Sequence, residues 1–256
     1  MIALRTEREI AILRKANQIV ADVLVAMADR VAPGVTTAEL DALGERLIRE
    51  KGGIPSFLGY HGYPNATCIS VDEVIVHGIP GPRRIEEGQI VSIDVGVLYQ
   101  GYHGDAALTV PCGQIDSVRE RLMRTTDASL AAAIQAARAG AYLQDVSRAV
   151  QQVVERAGFS VVRVFVGHGI GTQMHEDPQV PNFVIGNKGP KLKPGMILAI
   201  EPMVNAGTYD VRVLKDNWTA VTADGKPSAH FEHSIAVTEG PADVLSASDK
   251  RPWGMG

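Results

Sequence analysis

Two stretches that repeat one another decide the fold of this chain: GQIVSIDVGV at residues 88–97 and GMILAIEPMV at residues 195–204. At a constant offset of 107 residues, apolar positions fall on apolar positions and Asp94 falls on Glu201. Each stretch begins at a glycine and continues as an apolar run rich in β-branched residues, a pattern that predicts a buried strand. The match indicates that one structural unit occurs twice in the chain.

The repeat extends on both sides of these stretches. Upstream, VHGI at residues 76–79 matches GHGI at residues 167–170. Downstream, HGD at residues 103–105 matches HFE at residues 230–232, now at an offset of 127. Because the offset grows from 107 to 127, the second unit carries 20 more residues between its two acidic strands.

Each unit opens with a pair of predicted helices. Capping boxes at Thr6-x-x-Glu9, Thr36-x-x-Glu39 and Ser117-x-x-Glu120 mark three helix starts, and glycines mark the ends. The predicted helices span residues 6–34, 36–52, 117–140 and 143–158. The predicted strands span residues 67–76, 89–98, 160–166 and 196–204, with shorter ones near 106–110, 211–214 and 231–237.

These elements predict an α+β fold made of two αα-β repeats related by a pseudo-twofold axis. The two sets of strands merge into a central antiparallel sheet, and the helices cover one side of it. The repeats span about residues 5–112 and 115–240 and together form a single domain over residues 1–240. The end of the chain, residues 241–256, is rich in Gly, Pro and Ser, so we expect a mobile tail there.

Composition excludes several classes of function. With 25 basic and 29 acidic residues among 256, the net charge of −4 argues against a nucleic-acid-binding or anionic-membrane-binding surface. The N-terminal residues carry charges where a signal peptide would be apolar, and no run of 18 apolar residues occurs that would span a membrane. Cys68 and Cys112 are the only cysteines, so we expect free thiols and a cytoplasmic location.

Acidic residues stand where buried strands are predicted. A carboxylate among apolar neighbours, such as Asp94 or Glu201, is costly to bury unless it is paired or bound to a metal. The alternative is that both face solvent, but each is followed by a second acid, Asp105 or Glu232, at matching repeat positions. Together with His168, these four carboxylates suit a pair of Co, Mn, Fe or Zn ions, because carboxylates at close range would otherwise repel one another.

Five motifs, in this order along the chain, carry a resemblance to a known family. They are CISVDEVIVHGIP (68–80), SIDVGVLYQGYHGDAALT (92–109), GHGIGTQMHEDP (167–178), IEPMV (200–204) and FEHSIAVT (231–238). With them the chain resembles the bacterial-type, single-domain methionine aminopeptidases of type I, which have the pita-bread (creatinase/aminopeptidase) fold. The resemblance implies a metal-dependent exopeptidase. Such an enzyme removes the initiator methionine from nascent chains by attack of a metal-activated water, and it prefers a small second residue.

The resemblance also implies a role for each acid and for His168. Asp94 would bind one divalent ion, and Asp105 and Glu232 would bridge both. His168 and Glu201 would complete the site on the other ion.

Further residues are implied in catalysis and substrate binding. Glu201 would also move the proton from the water to the leaving amine. His77 would contact the scissile amide region, and His175 would donate to the oxyanion. The alternative for both histidines is a structural role in turns.

The methionine pocket implied by the resemblance has apolar and aromatic walls. Its residues would be Tyr60, Tyr63, Cys68, Trp218, Phe57 and Met174. The chain departs from common family members at Phe57, where cysteine is frequent, and at Met174, where an aromatic residue is frequent. His103 and His230 precede the bridging acids by two residues and are candidates for supporting roles.

Two other functions remain open at this point. An Xaa-Pro aminopeptidase or prolidase shares the ligand set, although such enzymes carry a substantial domain ahead of the catalytic one. A peptide- or ribosome-binding module that has lost its metals is the non-enzymatic alternative. For the aminopeptidase, the expected partners are nascent polypeptide N-termini near the ribosome, with no nucleic acid and no membrane, and we expect a monomer.

Overall fold

The computed structural model describes residues 2–250 of the chain. Its α-helices are α1 (Glu7–Ala28), α2 (Thr37–Glu50), α3 (Ser117–Ala136) and α4 (Leu143–Arg156). The first two begin at the predicted capping boxes, in which Thr6 and Thr36 exchange hydrogen bonds with the glutamates three residues later. Helix α3 begins where predicted but is capped by Asp116, whose carboxylate accepts a hydrogen bond from the amide of Arg119.

Short strands make up most of the remainder. They are β1 (Ile54–Pro55), β2 (Cys68–Val71), β3 (Val74–Val76), β4 (Ile90–Tyr99), β5 (Tyr102–Pro111), β6 (Ser160–Val161), β7 (Gly167–Gly169), β8 (Glu176–Val180), β9 (Ile197–Ile200), β10 (Met203–Asn205), β11 (Val211–Val213), β12 (Ala220–Thr222), β13 (Ser228–His230), β14 (Glu232–Ala236) and β15 (Asp243–Val244). The main sheet has the order β1-β4-β5-β14-β9-β7-β8, with β2 on β4 and β15 on β14. Two small sheets, β13-β10-β6 and β11-β12-β3, complete the layer.

Three predicted strands are shorter than expected. The stretch 67–76 divides into β2 and β3 at Asp72, whose φ of 51° turns the chain. The stretch 196–204 divides into β9 and β10 around Pro202, which has no N–H to donate to a ladder. The stretch 160–166 keeps only residues 160–161 as a strand.

The two-unit architecture predicted from the repeat is present. Helices α1 and α2 pack on the apolar face of β4 and β5, in a core that includes Leu24, Leu40 and Ile93. Helices α3 and α4 form an equivalent core with β9 and β14, which includes Leu130 and Val150. The units join where β5 pairs with β14 in antiparallel register, so the expected α+β fold with a central antiparallel sheet is confirmed. None of the helices within residues 2–250 has the length and apolar character that a membrane span requires.

Residues 243–246, within the predicted mobile tail, pack against the domain. Strand β15 pairs with β14, the Leu245 side chain is fully buried, and its N–H donates to the carbonyl of Ser234 at 2.9 Å. From α1, the Gln18 amide donates to the carbonyl of Leu245 at 3.1 Å. The free energy gained by burying an apolar side chain outweighs the tendency of a segment rich in Gly, Pro and Ser to stay unstructured. Residues 251–256 of the predicted tail lie outside the described residues.

This docking predicts a stability effect at Leu245. Replacing this buried leucine with alanine (Leu245→Ala) should lower the free energy of unfolding by about 2–5 kcal/mol, because it removes apolar contacts and leaves a cavity. Urea unfolding followed by circular dichroism measures the change. Asp249→Ala, at an exposed position of the same segment, is the matched control and should change stability by less than about 0.5 kcal/mol. A Leu245→Ala variant as stable as the control would mean that the segment is not docked.

Candidate metal centre

The register of β4, β5 and β14 brings three acids to one face of the sheet. Asp94 on β4 lies opposite Ala107 on β5, and Ala107 lies opposite Glu232 on β14. Asp105 is two residues from Ala107, so its side chain points to the same face. Strand pairing alone therefore places Asp94, Asp105 and Glu232 together, although they come from both halves of the chain.

The second unit adds His168 and Glu201 to the same face. His168 on β7 lies opposite Ala199 on β9, and Ala199 lies opposite Ser234 on β14. Glu201 is two residues from Ala199 in the sequence, and Glu232 is two residues from Ser234. Alternation along β14 points Glu232 to the face that carries His168. Glu201 directly follows β9, and its Oε1 atom lies 3.5 Å from Nε2 of His168, so it lies on the same face.

The side chains converge at short distances. The His168 Nε2 atom lies 3.8 Å from Asp105 Oδ2 and 3.5 Å from Glu201 Oε1. One ligand atom from each of Asp105, His168 and Glu232 lies within 4.8 Å of the others. The Nδ1–H of His168 donates to the carbonyl of Gly169 at 2.9 Å, which leaves the lone pair of Nε2 directed at the carboxylates. This arrangement could hold a metal ion.

The carboxylates of this cluster lack partners that would stabilise their ionised form. Asp94 Oδ1, Asp105 Oδ1 and Glu232 Oε1 are buried atoms without a hydrogen-bond partner. Burial raises the pKa of Asp94 to about 7. The pKa values of Asp105, Glu201 and Glu232 are raised well above their usual values, first by burial and then by the charges of neighbouring carboxylates. Divalent cations would remove this repulsion and satisfy the unpartnered oxygens, so the residues present fit such ions.

A cavity of about 420 Å³ lies over this cluster and contains every predicted site residue. Its lining consists of Phe57, Tyr60, His61, Tyr63, Cys68, His77, Asp94, Asp105, His168, Met174, His175, Glu201, Trp218 and Glu232. Sequence reasoning gave no role to His61, which lines the cavity from a left-handed backbone position at φ 49°. The only sequence signal was its place in the glycine-rich loop 59–64.

Three histidines of the cavity, His77, His168 and His175, have lowered pKa values that favour the neutral imidazole at neutral pH. Burial lowers the pKa of His77 to about 4 and that of His168 to about 3, and it also lowers the pKa of His175. The ring of His175 lies 4.2 Å from the ring of His168, and its Nδ1 atom lies 2.7 Å from the hydroxyl of Tyr60. Each ring can therefore act as a hydrogen-bond donor or as a ligand without bringing a charge.

Comparison with known proteins gives the family. Residues 11–239 match the model of metallopeptidase family M24. The chain belongs to this family. It is 51% identical over 246 residues to methionine aminopeptidase 1 of Bacillus subtilis (strain 168), a match that covers 96% of this chain and 99% of the relative. The predicted resemblance to methionine aminopeptidases is thereby confirmed.

Solved structures give the same fold. The crystal structure of methionine aminopeptidase from Thermotoga maritima superposes with a TM-score of 0.95 at 44% identity, covering 97% of this chain and 100% of that one. Prolidase from Pyrococcus furiosus shares the fold with a TM-score of 0.77, but at 21% identity, and this chain covers 66% of its length. The pita-bread fold predicted for this M24 chain is confirmed. Membership of a metallopeptidase family also implies the use of a divalent metal.

The position of the acids predicts that metal stabilises this M24 domain by joining its halves. A ligand that binds only the folded state adds about 2.7 kcal/mol at ~100 times its dissociation constant. Each kcal/mol raises the melting temperature of a domain of this size by roughly 2–4 °C. Saturating Mn²⁺ or Co²⁺ should therefore raise the melting temperature of the chelated protein by at least several degrees, as measured by calorimetry.

The variant Glu232→Ala provides the comparison. It removes a carboxylate from the group with Asp105 and His168, so the metal-induced shift should be smaller than in wild type. The metal-free variant should be slightly more stable than metal-free wild type, because one source of repulsion is gone. A wild-type melting temperature that does not respond to metal would contradict the convergence of the acids on a metal site.

Proposed function

We propose that this protein is a methionyl aminopeptidase that removes the N-terminal methionine from nascent proteins and peptides. The observation that carries the proposal is a single cavity in which buried, unpartnered carboxylates adjoin an apolar wall. Similarity over almost the whole chain to proteins named methionine aminopeptidase supports the substrate class. We further propose that it acts as a monomer in the cytoplasm, on polypeptide N-termini that emerge near the ribosome.

Two divalent ions per chain are part of the proposal. Asp94 would hold one ion, His168 and Glu201 would hold the other, and Asp105 and Glu232 would bridge them. Oxygen ligands dominate this set, a composition suited to Mn, Fe, Co or Zn. When bound, the two ions lower the pKa of a water molecule and polarise the peptide carbonyl.

Glu201 is the proposed proton carrier. Its carboxylate lies at the cavity wall, with Oε1 3.5 Å from His168 Nε2. A carboxylate placed beside the reacting water can accept its proton. It takes the proton from the attacking water and gives it to the amine that leaves.

His175 and His77 are the proposed hydrogen-bonding groups for the peptide. The Tyr60 hydroxyl can donate to Nδ1 of His175, which places the remaining proton of this neutral ring on Nε2 and makes Nε2 a donor to the oxyanion. His77 lies against Trp218, with 6.2 Å between ring centroids, and would hold the scissile amide.

The apolar end of the cavity is the proposed methionine pocket. Tyr63 and Cys68 are buried there, and the Tyr63 ring meets Trp218 edge-on at 5.1 Å. The hydroxyl of Tyr63 is directed away to the carbonyl of Gly78 at 3.0 Å, so its ring presents carbon atoms to the substrate. Phe57 and Met174 also line this cavity and would tune its shape. A thioether side chain fits such a surface.

Substituting the two cavity histidines separates their proposed roles. His175→Ala should lower kcat by roughly 10²-fold or more, the usual loss for one oxyanion donor, and leave metal content unchanged. His168→Ala should lose metal, because Nε2 of that ring faces the carboxylates. Kinetics combined with elemental analysis measures both effects. Equal loss of metal in the two variants would refute this division of roles.

Peptide cleavage tests the proposed function itself. Peptides that begin Met-Gly or Met-Ala should be cleaved with a kcat/KM far above that of Met-Lys or Met-Phe peptides, because a large second side chain would have to fit beside His77. A Gly-Pro peptide distinguishes a prolidase-like activity and should not be cleaved. Cleavage of Gly-Pro but not Met-Gly would replace the proposal with a prolidase. Absence of both activities in metal-loaded protein would favour a binding module.

A further inference from the structure

Two histidines at matching repeat positions have different surroundings. His103 and His230 each precede a proposed bridging acid by two residues. His103 is partly exposed, and its Nδ1 lies 2.9 Å from the hydroxyl of Ser56. His230 is only 2% exposed, and its buried Nε2 atom has no hydrogen-bond partner. A buried polar atom without a hydrogen-bond partner destabilises the folded state. This indicates that Nε2 of His230 has a functional role in addition to packing.

The unpaired nitrogen faces Glu201. His230 Nε2 lies 3.9 Å from Oε2 of Glu201, while His168 Nε2 lies 3.5 Å from Oε1. The carboxylate is therefore placed between two imidazoles, one beside each oxygen. A carboxylate that binds a metal ion is ionised and only accepts hydrogen bonds, so in the metal-loaded site the partner suited to Oε2 of Glu201 is an N–H on Nε2 of His230.

The backbone of His230 is fixed in place. Its N–H donates to the Thr109 hydroxyl at 3.0 Å, and the same hydroxyl donates to its carbonyl at 2.8 Å. The residue also pairs with Met203 across β13 and β10. A fixed backbone with one free ring nitrogen is suited to orienting a neighbouring group.

We propose that His230 is a positioning residue, whose Nε2–H donates to Oε2 of Glu201 and so turns Oε1 toward His168 and the reacting water. Hydrogen bonds in active sites are often long in the unliganded state and shorten in the working complex. This inference rests on the proposed role of Glu201 in peptide hydrolysis. His230 does not line the cavity and acts only through Glu201.

A pair of amide variants tests the proposal. In His230→Gln the amide nitrogen is as many bonds from Cα as Nε2 of histidine, so it can reach Glu201. In His230→Asn the amide is one bond short. On a Met-Gly peptide, His230→Asn should lower kcat roughly 10- to 100-fold with KM little changed, the factor expected for loss of one charge-assisted hydrogen bond. His230→Gln should retain most of kcat, and metal content and melting temperature should match wild type in both.

Two controls make the result specific. His103→Asn changes the repeat counterpart, which lies outside the cavity, and should leave kcat within about 2-fold. The visible absorption of Co²⁺-loaded protein reports ligand geometry independently of turnover. It should change in His230→Asn and stay as in wild type in His230→Gln. His230→Met, which fills the space without a donor, replaces the asparagine variant if that variant does not fold.

Several outcomes would overturn the inference. Equal kcat in the glutamine and asparagine variants would do so, as would a Co²⁺ spectrum that none of the His230 variants changes. A fall in kcat that follows loss of metal would assign His230 a structural role instead. Wild-type protein that binds Co²⁺ but cleaves no Met peptide would reject the proposed function separately, and the Co²⁺ spectra would still decide whether His230 orients Glu201.

Discussion

Mutual repulsion among four buried carboxylates is the constraint on which this structure depends. Asp94 and Asp105 come from the first unit, and Glu201 and Glu232 come from the second. Burial raises the pKa values of all four, and the charges of neighbouring carboxylates add to the rise for Asp105, Glu201 and Glu232. Such a group is tolerable only in a domain held together elsewhere, and the two apolar cores between the sheet and the helix pairs provide that support. The apolar helix face of the sheet stabilises the domain, and the polar face carries the chemistry.

The internal repeat explains how the acids converge and also how their surroundings diverged. Equivalent strands deliver equivalent side chains to one face, because β5 and β14 pair across the junction of the units. The supporting residues are not equivalent: Ser56 satisfies His103, whereas the ring of His230 is directed at Glu201. A symmetric backbone thus carries an asymmetric site, as the proposed mechanism requires, because in it Glu201 moves a proton and its counterpart Asp94 only binds metal.

Burial also determines the charge state of the cavity histidines. Desolvation lowers the pKa values of His77, His168 and His175, which favours the uncharged form of each ring at neutral pH. A neutral ring can coordinate a metal or donate one hydrogen bond without competing with the carboxylates for cations. The rings of Tyr63 and Trp218 meet edge-on at 5.1 Å in the wall of the same cavity.

The sequence alone determined the parts of this protein that depend on local chemistry. Capping residues set the starts of α1 and α2, and the repeated apolar runs with embedded acids predicted the α+β fold and the residues that converge. Only the tertiary structure decided where apolar side chains from distant segments find a core, and so it placed Leu245 in the interior instead of in a tail. It also placed His61 in the lining of the cavity, and it left Nε2 of His230 facing a carboxylate 29 residues earlier in the chain. The physical reason is that caps and periodicity act over a few residues, whereas burial and unpaired polar atoms are properties of the packed whole.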